Sequence, residues 1–112
     1  MVALTTTRQV LADAWKALGV YVGASTTNSG AAATPAGEIS GGGYARVATT
    51  WSSSGTGGVT GTQVLISVPA ITAVWGFVAV SAGGNQFDNA DITDTAFSTP
   101  GQLVLTPSFT VT

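Results

Sequence analysis

The spacing of apolar positions changes once along the chain, near residue 20. Before that point "RQVLADAWKAL" sets Leu11, Ala14, Trp15 and Leu18 at i, i+3, i+4 and i+7, which is one face of a helix. Arg8, Ala12, Asp13 and Lys16 fall mainly on the other side. Thr6 followed by Gln9 fits a capping box, and Gly19 stands where a left-handed residue closes a helix. The pattern predicts an amphipathic helix over residues 7–18. Beyond it the period is two. "VYVGAST" (20–26) reads as a short β-branched strand. Residues 27–43, "TNSGAAATPAGEISGGG", have little periodicity and are long for a loop inside a compact domain. Such an arm is expected to lie against its own domain or a neighbour.

From Tyr44 onward the pattern is strands and turns. Strands are predicted at 44–51, at 59–70 up to the stop at Pro69, at 71–82, weakly at 92–98, and at 102–112. "SSSGTGG" and "GGNQFDNAD" read as loops. In 71–82, Ile71, Ala73, Trp75 and Phe77 alternate with Thr72, Val74, Gly76, Val78 and Val80. Both faces are apolar, so this strand is expected to be central, between two layers. Pro107 lacks a ladder donor and belongs at a bulge or an edge. One helix and about six short strands predict a mainly β fold, a small β-sandwich or partly open barrel, as a single domain over 1–112.

Composition changes the picture in one respect. Charged residues make up 7% of the 112 residues, against roughly 25% in an ordinary soluble domain. The net charge is only −2 and the mean hydropathy is +0.41, which argues against disorder. A free monomer with so few charges is poorly protected against association, so the composition favours a life inside an assembly. There is no cysteine and no histidine, which removes the common zinc, iron and copper ligands and the usual base of a Ser-His-Asp triad. Arg8, Lys16 and Arg46 are scattered, so binding nucleic acid by phosphate neutralisation is not expected. "MVALTTTRQV" lacks the basic-then-apolar order of a signal peptide, and no apolar run is long enough to span a membrane.

The remaining chemistry is sparse. A Ser-Lys pair would have to use Lys16, on the polar side of the helix. Asp88, Asp91 and Asp94 in "FDNADITD" read as a solvated loop leading into a strand. Calcium held with Asn89 or backbone carbonyls is the sharper alternative, but the spacing fits no EF-hand loop. "GGNQF" and "SGGGY" lack the lysine and context of a phosphate loop. No cofactor is expected. Trp15 and Trp75 are assigned to the core, while Trp51, beside a Ser/Gly loop, is the tryptophan considered for a partner contact.

That leaves "EISGGGYARV", residues 38–47. Glu38 and Arg46 are two of eight charged side chains and can pair across the glycines. One reading is that Gly41, Gly42 and Gly43 reverse the chain and Tyr44 starts a strand. The other is that the glycines admit the backbone of another subunit, which Arg46 then reaches.

This stretch also carries a resemblance. "EISGGGYARVATTW" after a helix, a short strand and an Ala/Thr/Gly loop resembles a family of small virion proteins of tailed phages infecting actinobacteria, with its SGG-x-YAR motif. "VPAITAVWGFVAV" is similar to that family's VPA…T…WG segment, through Val68, Pro69, Ala70, Thr72, Trp75 and Gly76. "GQLVLTPSFTVT" resembles its terminal strand. "VGASTTNSG" departs from the His-Thr-Ala-Asp-like segment often found there. The resemblance implies a capsid decoration protein, on the capsid surface of the virion in many copies. Its expected partners are the major capsid protein and itself, as a homotrimer, with no nucleic acid and no membrane. The alternative is a minor tail or tail-fibre-associated protein, or, from another class, a carbohydrate-binding β-sandwich. The candidate subunit or capsid contacts are Glu38, Gly41, Gly42, Gly43, Tyr44, Arg46 and Trp51.

Overall fold

The computed structural model describes residues 4–112. Residues 1–3, part of the segment read for a signal peptide, lie outside the described residues. One helix, α1 (Thr5–Lys16), precedes nine strands: β1 (Tyr21–Ser25), β2 (Val47–Ala48), β3 (Trp51–Ser53), β4 (Gly58–Gly61), β5 (Val64–Val68), β6 (Thr72–Ala79), β7 (Gln86–Ala96), β8 (Gly101–Leu105) and β9 (Ser108–Thr110). They form three antiparallel sheets, ordered β2-β1-β6-β7, β3-β4-β9 and β5-β8. None of the three closes into a barrel, and the architecture is an open, β-sandwich-like domain.

Nine strands stand where about six were expected because three of the predicted strands break and change sheet. The stretch 44–51 divides into β2 and β3, 59–70 into β4 and β5, and 102–112 into β8 and β9. Pro107 marks the last of these breaks, and its carbonyl accepts from Gly61 N–H at 2.8 Å. "GGNQFDNAD" is not wholly a loop, since β7 already begins at Gln86. There Val78 faces Asp88 and Ala79 faces Gln86, so Phe87 is an extra residue that bulges out of the ladder.

The core joins the four-stranded sheet to the β5–β8 ribbon. Val22, Ala24, Ala73 and Val78 meet Val64, Ile66, Val68 and Leu103, with Ile39 closing the side. In β5 the alternation of the sequence is read out directly: Val64, Ile66 and Val68 are buried, while Leu65 is exposed. β6 has β1 on one side and β7 on the other, with Phe77 and Val78 both buried, as its two apolar faces predicted.

The helix differs from its expectation. It starts and ends about two residues early, its N-cap is Leu4, and no side chain caps it. Gly19 is not in the left-handed region; a Cβ there would stand 2.3 Å from the Ala79 carbonyl oxygen, so this glycine is needed for close packing. More important, the helix is turned the other way round. Ala12 is fully buried, and the polar residues lie on the side facing β3 and β4. Gln9 accepts from Gly55 N–H and Gly57 N–H, both at 2.9 Å. Asp13 accepts from Ser53 at 2.6 Å, and Lys16 donates to Ser53 at 2.7 Å. The 51–58 hairpin offers unpaired backbone donors, and Gln9 satisfies them as an aliphatic side chain could not. Of the predicted apolar face only Trp15 turns in. Leu11 and Leu18 are about half exposed.

Candidate interaction site

The segment 37–48 is built along one edge of β1. Thr26 N–H donates to Gly37 O at 3.0 Å, Ser25 pairs with Glu38, and Ile39 N–H donates to Ala24 O at 3.1 Å. This pairing aims the Glu38 side chain and buries Ile39. The chain then reverses through Gly41, Gly42 and Gly43, with φ of 84°, 61° and 78°, closed by Tyr44 N–H to Gly41 O at 3.0 Å. Three successive positive φ values explain why the run is glycine. β2 follows and returns to pair with β1.

The reversal brings Glu38, Tyr44 and Arg46 together. Arg46 Nε donates to Glu38 Oε2 at 2.8 Å and Nη2 to Oε1 at 2.9 Å, a bidentate fork. Arg46 Nη1 donates to the carbonyls of Ser81 at 3.0 Å and Gly84 at 2.7 Å, tying the β6–β7 loop to the junction. The guanidinium carbon lies 5.0 Å above the Phe77 ring. Tyr44 Oη donates to Glu38 Oε2 at 2.8 Å and accepts from Ala24 N–H at 3.1 Å. A Cβ on Gly23 would stand 2.4 Å from the Phe77 ring and 2.8 Å from Tyr44 Oη, so a glycine on β1 makes room for the network.

The Arg46 side chain is 6% exposed and that of Glu38 25%. Burial pushes the Glu38 carboxyl up, but hydrogen bonds from Arg46 and Tyr44 and the charge of Arg46 outweigh it and hold the group below its ordinary value. Burial, with the adjacent carboxylate, raises Tyr44 well above the usual phenol range, so it stays a neutral donor. The hydrogen bonds and charge of Glu38 hold Arg46 up against the opposing effect of burial. The cluster is therefore a structural lock: its polar atoms are spent within the chain. What it presents outward is the exposed tip of Gly41, Gly42 and Gly43.

Trp51 does not stand free. Its indole N–H donates to Gly19 O at 2.8 Å and its ring meets the edge of Trp15 at 5.1 Å. Trp15 in turn stacks on Phe109 at 4.4 Å and meets Phe87 at 5.3 Å. This aromatic group fastens α1 to the strands, and the Ser/Gly loop that made Trp51 look accessible is held by Gln9.

The acidic stretch is also committed to structure. Asp88 accepts from the Trp15 indole at 3.0 Å, and Asn89 accepts from the Trp75 indole at 2.9 Å. Asp91 and Asp94 are exposed on β7. Among the described residues no three His, Cys, Asp or Glu side chains gather into a metal-holding group. A cleft of about 270 Å³ lies between Trp15, Phe77, Asp88, Asp91, Ile92 and Pro107; of its two carboxylates, Asp88 is bonded to the Trp15 indole. Among the described residues no helix is long and apolar enough to cross a membrane.

A second network was not foreseen. Ser29 and Gln86 are buried and bonded at 2.9 Å, and Gln86 Nε2 donates to the carbonyls of Ser29 at 3.0 Å and Ala32 at 2.8 Å. Gln86 N–H reaches Ala33 O at 2.9 Å, and Asn89 Nδ2 reaches Gly30 O at 2.8 Å. The 27–43 arm thus packs on its own domain. Only Gln86 and Asn89, two of the three amides in "GGNQFDNAD", signalled it, and amides of that kind are common in plain turns.

The fold is a β-rich domain with one helix, and the polar groups of its junction and of its arm are bonded within the chain. The chain belongs to the family of the podophage GP4 fiber I protein gp80, whose model matches residues 6–84. The match takes in α1, the arm, the SGGGYAR junction and β6. No curated protein and no solved structure gave a match. The protein is a phage structural protein associated with the virion, related to a fibre family.

Proposed function

We propose that this chain is a tail-fibre-associated structural protein of a phage virion, serving as a compact module between virion subunits. The observation that carries this reading is the match of residues 6–84 to a fibre I family. It favours the tail over the capsid surface that the resemblance to actinobacteriophage decoration proteins implied. The locked junction supports a mechanical role: Arg46 ties its own segment to Glu38 and to the β6–β7 loop, so load on one is shared by the others. The exposed Gly41–Gly43 tip is the proposed contact with a neighbouring virion protein. Purified particles, quantified by mass spectrometry and imaged with an antibody against this chain, test the location. A few copies per particle with label at the tail are expected. Hundreds of copies with label over the shell would overturn the reading in favour of decoration.

A further inference from the structure

The sandwich is open along one side. β7 is an outer strand of its sheet, and β8 and β9 are outer strands of theirs. Between them lies the cleft of about 270 Å³. The small Gly76 and Ala90, paired across the β6–β7 ladder, form its floor, and Ile92, Leu105 and Pro107 stand around it. The arm covers the free edge of β7 at its start, where Gln86 N–H donates to Ala33 O. Further along, Asn89 N–H donates to the adjacent Asp88 Oδ1 at 2.8 Å, so it points away from β6. Alternation then turns the Asp91 N–H and C=O outward as well, where the sheet ends. A backbone edge therefore runs beside an apolar cleft. Three carboxylates, Asp88, Asp91 and Asp94, stand along the same strand.

We propose that this side of the sandwich accepts an extended segment of a different protein, which adds a strand to β7 and sets one apolar side chain into the cleft, with Lys or Arg beside it. The backbone edge supplies the pairing, and the cleft and the carboxylates supply the selection. The cleft has room for one large side chain, since a cavity of roughly 150 Å³ already holds a benzene ring. The bulge between Asp91 and Thr95 ends the regular edge there, so the pairing is short and its register is fixed. Charge decides the kind of occupant. Two β7 edges side by side would set Asp88, Asp91 and Asp94 of one copy against those of the other, which disfavours a second copy. This chain also offers no basic strand to itself: Arg8 and Lys16 lie on α1, and Arg46 is forked to Glu38. A basic segment from another protein meets the same carboxylates with attraction.

The site stands apart from the Gly41–Gly43 tip and does not depend on whether the chain sits at the tail or on the shell. The test screens the full chain against displayed random peptides of about nine residues, enough for one strand. The expected sequences hold Leu, Ile or Phe closely flanked by Lys or Arg. The most enriched peptide, made synthetically, should slow hydrogen exchange at the Asp91 amide, read by NMR. Its affinity should fall about tenfold in Asp91→Lys, where attraction becomes repulsion. A similar loss is expected in Asp91→Pro, which removes the outward N–H and leaves the β6 ladder intact. Should Asp91→Pro fail to fold, the exchange rate at Asp91 decides the matter alone. No enrichment, enriched peptides that lack the apolar or the basic residue, an Asp91 amide that exchanges as fast with peptide bound, or unchanged affinity in either folded variant would each overturn the proposal. So would protection of that amide on concentrating the chain by itself, which would put a second copy there.

Discussion

Single residues carry the junction, and two of them give measurable consequences. Glu38 is held below 4.5, its ordinary value, in the folded chain. A depressed carboxyl contributes stability that is complete above the unfolded value and is lost as pH falls through the folded one. Urea unfolding should therefore show stability falling below about pH 4.5. Glu38→Gln should be weaker by about 2 kcal/mol at neutral pH and have a flatter acid limb. An acid limb identical in both proteins would assign it elsewhere. Gly42 and Gly41 make a matched pair. Both have positive φ, but a Cβ on Gly42 would lie 2.6 Å from Pro69 N, while Gly41 faces open space. Gly41→Ala should cost about 1 kcal/mol, from backbone strain alone. Gly42→Ala should cost about 3 kcal/mol, because the Pro69 backbone has to move as well. Equal losses would show that the close approach to Pro69 is unimportant. That Glu38 and Arg46 pair was legible in the sequence, since few charges compete for either. That Tyr44 joins them and Arg46 also holds the 81–84 loop was not, because those contacts depend on β1 and β6 lying side by side.

At the scale of elements, the arm and the helix show where periodicity is a sufficient guide. Residues 27–43 have no period to read, so only the fold could show that Ser29, Gly30, Ala32 and Ala33 supply partners to Gln86 and Asn89. Deleting residues 28–36 should destabilise the isolated domain by about 3 kcal/mol or more in urea unfolding, since a buried amide loses its partners. Unchanged stability would mean that the arm is an appendage. The helix was legible as an element, through its three-and-four spacing, but its facing was not. An apolar stripe normally seeks the core. Here the surface beneath it is a Ser/Gly hairpin with backbone donors to satisfy, and Gln9, Asp13 and Lys16 match it better than leucine would. The interruption at Thr106–Pro107 was signalled by Pro107, but the strand breaks at Thr49–Thr50 and Thr62–Gln63 were hidden for another reason: alternation continues through a strand that leaves one sheet for another.

At the scale of the molecule, low charge and the outward apolar helix face leave a surface poorly protected against association, and the family match places the chain among phage structural proteins. The sequence by itself determined the β-rich class, the existence of α1, the central place of β6 and the absence of histidine and cysteine. Each follows from local period or from composition, which need no knowledge of distant contacts. It also contained the apolar stripe of α1, but not the direction in which that stripe faces. Only the tertiary structure decided that, because the facing of a helix is set by the surface on which it lands, and that surface is assembled from β3, β4 and β9, segments far along the chain.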